Sequence, residues 1–197
     1  MKGLSILILA AGAARRMNRA KMLLPFAEST ILDTIISRAK EINPQRICLV
    51  TGFYHQEITE QITDLEIEIL YNANWAKGMS ASIITGIAYL RQELPKMDSV
   101  FILVADQPYI SASILQEMIV LQEQSGKGII AASYAGVIGT PVLFDKSYFS
   151  SLENLMGDKG ARSILQKYPE DIATVNFPLG EIDIDTEDDY QKMKLNN

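Results

Sequence analysis

The sequence predicts an α/β fold built on a mostly parallel sheet that helices cover on both faces. Two observations carry this prediction. Short apolar runs alternate along the chain with segments in which apolar residues recur at helical spacing. Two of these runs, Leu4–Ala10 and 100–105, are almost continuously apolar, which is typical of strands buried on both faces. Strands that alternate with helices form a parallel sheet, whose ligands bind at the carboxyl ends of the strands near the reversal of strand order.

The first half of the chain contains three predicted strands and three predicted helices. The strand Leu4–Ala10 ends in small residues at 11–14, where backbone amides can approach a ligand closely. Apolar residues at helical spacing predict a helix over 31–42, with Ser29 or Thr30 as its N-cap. The remaining segments are strands at Arg46–Thr51 and Ile67–Tyr71, an amphipathic helix at 55–63, a polar loop at 72–80, and a helix that begins at Ser80 or Ser82.

The second half continues the alternation. The apolar strand at 100–105 ends at Asp106, and Ser111 is the predicted N-cap of the helix that follows. Thr186 caps a last helix, whose acidic first turn at 187–189 suits the helix dipole. Between them lie predicted strands at 129–133, 140–144 and 174–177 and predicted helices at 145–155 and 161–168.

Length and charge limit the classes of protein that fit. A chain of 197 residues is expected to form one domain, 1–197, at roughly 100 to 200 residues per domain. The formal net charge of -6 argues against nucleic-acid binding, which needs a basic face. No apolar run approaches the roughly 20 residues that span a bilayer, so no membrane segment is expected.

The N-terminal segment and the cysteine content favour a cytoplasmic protein. Lys2 followed by an apolar run is similar to a secretory signal peptide, but a cluster of cations follows without a break into a new domain, so we expect no signal. Cys48 is the single cysteine, which excludes an internal disulfide and fits a reducing compartment. Its apolar neighbours predict a buried side chain rather than a reactive thiol.

The loop after the first strand concentrates positive charge in an acidic chain. Arg15, Arg16, Arg19 and Lys21 follow Gly12 within a few residues. Arginine makes bidentate contacts with phosphate and lysine contributes a point charge, so the loop predicts a site for a nucleoside triphosphate. The loop lacks both the dinucleotide fingerprint G-x-G-x-x-G and the P-loop motif. The alternative interpretation is a solvated cationic helix face, and Arg19 fits that interpretation best.

Acidic residues that follow later strands are candidate metal ligands. Asp106 comes directly after an apolar strand, at the predicted ligand-binding edge of the sheet. Asp183 and Asp185, two residues apart, point to the same face of an extended segment. One or two carboxylates together with substrate phosphates are the usual ligands of Mg²⁺. The alternatives are a turn or N-cap aspartate at Asp106, and an exposed acidic turn before the last helix at the other two positions.

A series of motifs follows in order through nearly the whole chain. The first is L-A-A-G-x-x-x-R-M-x-x-x-K-x-L-L-P at 9–25, and the others are N-W-A-K-G-M-S-A-S at 74–82, A-D-Q-P at 105–108, G-T-P-V-L-F at 139–144, G-D-K-G-A-R at 157–162 and D-I-D-T-E-D at 183–188. Together they resemble the nucleotidyltransferases related to molybdenum cofactor biosynthesis, and most closely the molybdenum cofactor cytidylyltransferases. Asn18 stands where this family often has glycine.

The resemblance implies a Rossmann-like nucleotidyltransferase fold and a Mg²⁺-dependent transfer of a nucleoside monophosphate with release of pyrophosphate. Arg16, Lys21 and Asp106 would be the catalytic residues. The resemblance further implies three sets of ligand-binding residues: for the nucleotide Ala10, Ala11, Gly12, Arg16, Lys21, Gly78, Ser80 and Ser82; for the acceptor Thr140, Asp158 and Arg162; and for the metal Asp106 with Asp183 or Asp185.

The resemblance also suggests the substrates. Ala11, where guanosine-selecting relatives have a second glycine, implies a preference for CTP over GTP. The implied acceptor is a phosphorylated small molecule of the molybdopterin type, with contact to a molybdoenzyme as a further expectation. Trp75, Met79 and Met156 are candidates for the lining of the acceptor pocket, with ordinary packing as the alternative. Other phosphorylated acceptors, or a non-catalytic nucleotide-binding protein that assists cofactor insertion, remain as alternative functions.

Overall fold

The structure is a computed structural model that describes residues 3–14, 16–184 and 186–195. Its main sheet has seven strands in the order β5-β4-β1-β6-β8-β7-β9, and β8 runs antiparallel to its neighbours β6 and β7. A separate antiparallel pair is formed by β2 and β3. The strands are β1 (Leu4–Ala10), β2 (Pro25–Phe26), β3 (Ser29–Thr30), β4 (Arg46–Thr51), β5 (Ile67–Tyr71), β6 (Ser99–Val104), β7 (Ile129–Tyr134), β8 (Val137–Asp145) and β9 (Ile172–Asn176).

Helices cover both faces of this sheet, as the sequence predicts. They are α1 (Ile31–Lys40), α2 (His55–Gln61), α3 (Met79–Glu93), α4 (Ala112–Ser125), α5 (Phe149–Glu153), α6 (Arg162–Lys167) and α7 (Glu187–Leu195). Helices α1, α2, α4 and α7 contribute to the core on one face, and α3, α5 and α6 to the core on the other. Within the described ranges, no helix combines the length and the apolar character that crossing a membrane requires.

Strand β1 supplies side chains to both cores because its residues alternate between the two faces of the sheet. Ile6 and Ile8 belong to the core on the α1 face, whereas Leu7 and Leu9 belong to the core on the α3 face. All seven residues of β1 are buried. The continuous apolar run thus has a direct cause, since a strand covered on both sides needs no polar residues.

The structure confirms three predicted N-caps, with Thr30 rather than Ser29 at the start of α1. The Thr30 hydroxyl accepts a hydrogen bond from the Asp33 amide at 3.1 Å, and the Ser111 hydroxyl accepts one from the Ile114 amide at 3.3 Å. The Thr186 hydroxyl accepts one from the Asp189 amide at 3.2 Å. The short polar side chain satisfies a donor that the helix itself leaves unpaired.

The predicted start of α3 at Ser80 or Ser82 is wrong. The helix begins at Met79, directly after Gly78, whose φ of 97° few other residues adopt. Both serines lie inside the first turns and are buried, at 3% exposure each. The glycine therefore sets the start of the helix, and the serine side chains face the protein interior.

Several predicted boundaries shift in the second half. Strand β8 extends over Val137–Asp145 rather than 140–144, and β9 occupies Ile172–Asn176 rather than 174–177. The segment predicted as one helix at 145–155 is a 3₁₀ turn, Lys146–Tyr148, followed by the short helix α5. The Asp145 carboxylate accepts from the Ser147 amide at 2.7 Å, which holds the tight turn at this point.

The order of the strands creates a crevice at the carboxyl end of β1. The chain passes from β1 to β4 and β5 on one side, and then returns to β6 on the other side of β1. Loops that leave β1 and β6 therefore diverge, and ligands of open α/β sheets bind at such a point. The Ala105 amide donates to the Leu9 carbonyl at 3.0 Å, so the ends of the two strands stay side by side.

Candidate active site

An ion pair connects the loops that follow β1 and β6. Lys21 lies in the 3₁₀ turn Lys21–Leu23, and its Nζ donates to Oδ2 of Asp106 at 2.9 Å. The two residues are 85 positions apart in the chain. Their side chains are 12% and 30% exposed, so the pair is partly shielded from water but remains accessible. The structure therefore brings the predicted phosphate-binding lysine and the predicted metal ligand into one place.

Three adjoining cavities form a trough along this edge of the sheet. The cation cavity, about 380 Å³, contains Arg16, Lys21 and Asp106 in its wall. The central cavity, about 450 Å³, shares Leu9, Gly12 and Asp106 with it. The apolar cavity, about 520 Å³, shares several lining residues with the central cavity, including Met79, Thr140, Asp158 and Asp183. An extended ligand can therefore contact all three.

Most predicted site residues line this trough. The cation cavity is lined by Ala10, Gly12, Arg16, Lys21 and Asp106. The central cavity is lined by Ala11, Gly12, Gly78, Ser82, Asp106, Thr140, Asp158 and Asp183. Arg162 lines the apolar cavity with Thr140 and Asp158, so the three predicted acceptor residues lie together at one end.

Two described residues among those predicted, Ser80 and Arg19, do not line the trough, and two others are not described. Ser80 lines none of the three cavities, and its buried hydroxyl has no hydrogen-bond partner among the described residues. Arg19 pairs with Glu187 on the surface and lies 5.7 Å from the ring of Tyr190, which agrees with its alternative interpretation as a surface residue. Arg15 and Asp185 lie outside the described residues.

The loop after β1 leaves room for a ligand. A Cβ atom added at Gly12 would meet nothing within 4 Å, so the backbone there faces open space. The loop then turns at Ala14, whose carbonyl accepts from the amides of Met17 and Asn18 at 2.9 and 3.0 Å. Asn18 has a φ of 48°, in the left-handed region that asparagine tolerates better than most residues. The replacement of the family's frequent glycine by asparagine is therefore compatible with the turn.

Two glycines allow neighbouring loops to close around the central cavity. At Gly78, a Cβ would lie 2.8 Å from both Cα and Cβ of Asp158, so the loop before α3 touches the predicted acceptor segment. At Gly52, a Cβ would lie 2.6 Å from the Ala11 carbonyl oxygen and from Cβ of Trp75. Gly52 was absent from the sequence-based site because its packing depends on loops that are distant in the chain.

Gln107 is a residue of the site that sequence reasoning missed. Its side chain is 4% exposed and lines the central cavity. Its Nε2 donates to the Gly180 carbonyl at 2.8 Å and to the Tyr134 hydroxyl at 3.3 Å. These bonds connect the turn of Asp106 to the C-terminal segment that carries Asp183. The only signal in the sequence was a polar residue next to Asp106.

The aromatic and methionine candidates divide between the trough and the surface. Trp75 and Met79 line the central cavity, and Met79 lines the apolar cavity as well. Met156 is 86% exposed and lines neither. The wall of the apolar cavity also contains Ile83, Val137, Ile138, Val142 and Leu165, with Lys159 and Arg162 as its cations.

The arrangement of carboxylates suits a metal that shares its ligands with a substrate. Asp106 and Asp183 line the same central cavity. Across residues 3–14, 16–184 and 186–195, no three His, Cys, Asp or Glu side chains group as a complete metal site. Mg²⁺ is commonly held by one or two carboxylates together with substrate phosphates, so two oxygen donors beside a cationic pocket fit this ion.

Cys48 and His55 lie away from the trough. Burial raises the pKa of the Cys48 thiol to about 12, so the thiol stays protonated at neutral pH. Nδ1 of His55 lies 2.8 Å from Oγ1 of Thr51, and its ring lies 4.7 Å from that of Tyr71. Neither residue lines any of the three cavities, so neither is placed to act as a nucleophile there.

Comparisons with known proteins agree on the type of domain. A family model described as "MobA-like NTP transferase domain" matches residues 6–172. The bifunctional protein GlmU of Francisella tularensis subsp. novicida is 26% identical over 171 residues, which cover 85% of this chain and 36% of that protein. The chain thus spans about a third of the length of this relative.

Solved structures show the same fold. Rv0371c from Mycobacterium tuberculosis, in complex with manganese, matches with a TM-score of 0.79 at 21% identity over 98% of both chains. A nucleotidyl transferase from Methanothermobacter matches with a TM-score of 0.82 at 20% identity over 100% of both chains. Molybdopterin-guanine dinucleotide biosynthesis protein A from Archaeoglobus fulgidus matches with a TM-score of 0.65 at 15% identity over 97% of both chains. At these identities the likeness establishes the fold alone.

Proposed function

The chain belongs to the MobA-like NTP transferase domain family and is a nucleotidyltransferase, and from this premise we propose that it transfers CMP from CTP to a phosphorylated small molecule. The acceptor that we propose is a cofactor of the molybdopterin type, and pyrophosphate is the second product. The membership in this family supports the type of reaction, which is nucleotidyl transfer. The choice of base, acceptor and metal rests on the residues of the trough.

The observation that carries the proposal is the ion pair between Lys21 and Asp106. A triphosphate that enters the cation cavity meets Lys21, Arg16 and the carboxylate of Asp106 in one wall. Arginine and lysine suit phosphate oxygens, and the carboxylate suits the metal ion that accompanies a triphosphate. Cations and a carboxylate at this distance can bind an anionic ligand and the metal ion that accompanies it in one place.

The reaction that fits this geometry is an in-line displacement. A phosphate oxygen of the acceptor forms a bond to the α-phosphorus of CTP, and the bond from that phosphorus to the pyrophosphate oxygen breaks. Because both reactants are anions, the residues of the trough act by positioning and by neutralising charge. Lys21 and Arg16, which line the cation cavity, are proposed to stabilise the leaving pyrophosphate, and no protein nucleophile is needed.

A divalent ion would be held by Asp106 and Asp183, with substrate phosphates completing its ligands. When bound, such an ion polarises phosphoryl oxygens and offsets the charge of the leaving group. Mg²⁺ is our proposal, and the manganese complex of Rv0371c supports divalent metal use in proteins of this fold. Asp185 stays a predicted alternative ligand outside the described residues.

The two ends of the trough support the choice of substrates. Ala11 lines the central cavity, and we propose that alanine at this position, where guanosine-selecting relatives have glycine, disfavours a purine and so favours cytosine. The apolar cavity combines apolar side chains with Arg162 and Lys159, which suits an acceptor with a flat ring system and a phosphate. A phosphorylated pterin has this combination of a flat ring face and a charged phosphate.

The test is the loss of pyrophosphate release in the variant Asp106→Asn. With CTP, Mg²⁺ and molybdopterin as substrates, we expect the rate to fall at least about 100-fold, because removal of a group that stabilises charge in a transition state costs on this order. The matched control is Asp98→Asn. Asp98 also accepts from a lysine at 2.9 Å, in the pair with Lys146, but it lines none of the three cavities.

The control variant should release pyrophosphate at the wild-type rate. Circular dichroism of both variants should match the wild type, since each change is isosteric. Wild-type turnover in Asp106→Asn would contradict the proposed site. Tight binding of CTP by the wild type without any pyrophosphate release would favour a non-catalytic nucleotide-binding protein instead.

A further inference from the structure

A buried pair of polar side chains lies under the wall of the central cavity. Asn72 follows β5 directly and is 2% exposed. Its Nδ2 donates to Oγ of Ser82, in the second turn of α3, at 3.0 Å. Ser82 lines the central cavity and is 3% exposed. Asn72 itself does not line the cavity, so it contacts a ligand only through the serine.

The direction of this hydrogen bond is fixed by a neighbouring backbone group. The Asn74 amide N–H lies 2.9 Å from Oδ1 of Asn72. An N–H group can only donate, so the oxygen of the Asn72 side chain must face it and the nitrogen must face Ser82. The amide nitrogen can also only donate. Ser82 Oγ is therefore the acceptor, and the proton of Ser82 points elsewhere.

Among the described residues, no group accepts a hydrogen bond from the Ser82 hydroxyl. The one hydrogen bond of this side chain within the described part of the chain is the bond that it accepts from Asn72. Thr85, one turn along α3, shows the usual arrangement instead, because its hydroxyl donates to the Ala81 carbonyl at 2.9 Å. Because Oγ of Ser82 accepts from Asn72, its hydroxyl proton is left to donate to a ligand in the central cavity, which Ser82 lines.

We propose that Asn72 is a positioning residue that fixes Ser82 as a hydrogen-bond donor to the base of the nucleotide. The inference rests on the proposed function, since it assumes that the base lies in the central cavity. The pairing edge of cytosine presents two adjacent acceptors, N3 and O2, which match a donor. The pairing edge of guanine presents a single acceptor, O6, beside two N–H groups, which do not match a donor. A fixed donor therefore adds to the selection that Ala11 provides.

Reversing the polarity of this pair tests the inference. In Asn72→Asp, the carboxylate can only accept, so Ser82 donates to residue 72 and turns a lone pair toward the cavity. By isothermal titration calorimetry with CTP and Mg²⁺, we expect the affinity to fall about tenfold, which corresponds to about 1.4 kcal/mol. Ser82→Ala should cause a similar loss, because it removes the donor outright.

The double variant separates a positioning role from a structural one. In the Ser82→Ala background, Asn72→Asp should change the affinity for CTP less than about twofold, since residues that act through one contact are not additive. Two matched controls should bind CTP like the wild type. Asn74→Asp adds the same charge on an exposed side chain two residues away, and Thr85→Ala removes a hydroxyl from the same helix.

Three results would overturn the inference. One is wild-type affinity for CTP in Asn72→Asp. Another is an undiminished effect of that substitution in the Ser82→Ala background, which would assign Asn72 a structural role. If Asn72→Asp does not fold, Asn72→Ala takes its place, with an expected loss of about threefold that disappears without Ser82. A wild-type protein that binds none of the four nucleoside triphosphates would refute the proposed function as well, whereas the first two results would leave it intact.

Discussion

Two hydrogen-bonded pairs of side chains belong to the trough, one in the wall of the cation cavity and one under the wall of the central cavity. Nζ of Lys21 lies 2.9 Å from Oδ2 of Asp106, and Nδ2 of Asn72 lies 3.0 Å from Oγ of Ser82. A partly buried charge is more costly to leave unpaired than an exposed one, so removing either member of the first pair affects the other. The ion pair holds the two groups side by side in the wall of the cation cavity. Each group is then available to a ligand of the opposite charge.

Cys48 provides a test of the core that is independent of the trough. Because burial raises the pKa of this single thiol to about 12, we expect no reaction with a thiol reagent at about pH 8 until the protein unfolds. The unfolded thiol has a pKa of about 8.5, so the unfolded chain loses a proton that the native protein keeps. Stability should therefore fall as the pH rises from about 8.5 toward 12.

The measurement is the urea midpoint as a function of pH, with thiol labelling in parallel. Cys48→Ala should remove this part of the pH dependence, although it also lowers the midpoint by creating a cavity. Rapid labelling of the folded protein would show that β4 is accessible to the reagent, contrary to its burial.

Packing between elements depends on one glycine in α3. A Cβ added at Gly86 would lie 2.1 Å from Cδ1 and 3.0 Å from Cγ of Leu7 in β1. Leu7 is fully buried and cannot move away freely. Overpacking of this kind costs about 1–3 kcal/mol and better helix propensity offsets about 1 kcal/mol of it, so we expect Gly86→Ala to lower the free energy of unfolding by up to about 2 kcal/mol.

The sign should reverse when the clash is removed. In the Leu7→Ala background, the added methyl group fills part of the cavity, so Gly86→Ala should stabilise the protein. Urea unfolding with an unchanged m-value is the measurement. Additive effects of the two substitutions would mean that α3 and β1 are farther apart than the structure has them.

Element boundaries show where local sequence is sufficient and where it is not. Thr30, Ser111 and Thr186 could be predicted as N-caps because a cap depends on residues within one turn. Ser80 and Ser82 also have the side chain of an N-cap, but they lie inside α3, which begins at Met79 directly after Gly78. Gly78 packs against Asp158, a residue from a distant part of the chain. Contacts of that kind leave no local pattern in the sequence.

The residues of the candidate site could be proposed from the sequence, but their contacts could not. Lys21 and Asp106 both follow apolar strands, and the rule that parallel strands present their carboxyl ends together places them near each other. The bonds of Gln107 to Gly180 and of Asn72 to Ser82 depend on side-chain directions that only the folded chain defines. Family motifs identified Ser82 but not the asparagine beneath it.

The stability of the complete protein should report the preferred nucleotide. A ligand that binds only the native state stabilises it, by about 2.7 kcal/mol at 100 times its dissociation constant. With Mg²⁺ present, we expect CTP to raise the melting temperature more than GTP does at equal concentration. In Ala11→Gly the difference should narrow, because the methyl group that opposes a purine is absent.

Thermal unfolding monitored by differential scanning fluorimetry is sufficient for this comparison. Arg162→Ala is the control, since Arg162 lines the apolar cavity and not the central one, and the difference between CTP and GTP should persist in it. Equal shifts with the two nucleotides in the wild type would remove the case for cytidine.

The trough takes its two ends from different stretches of the chain. The cation cavity is formed by segments near 9–22 and 105–106, whereas the apolar cavity draws on segments near 134–142 and 158–165. Substitutions that accumulate in one stretch therefore leave the other unaltered. If the cation cavity holds the triphosphate and the apolar cavity the acceptor, as we propose, a descendant of a gene duplication can change its acceptor contacts and keep its phosphate contacts, so diversification proceeds one substrate at a time.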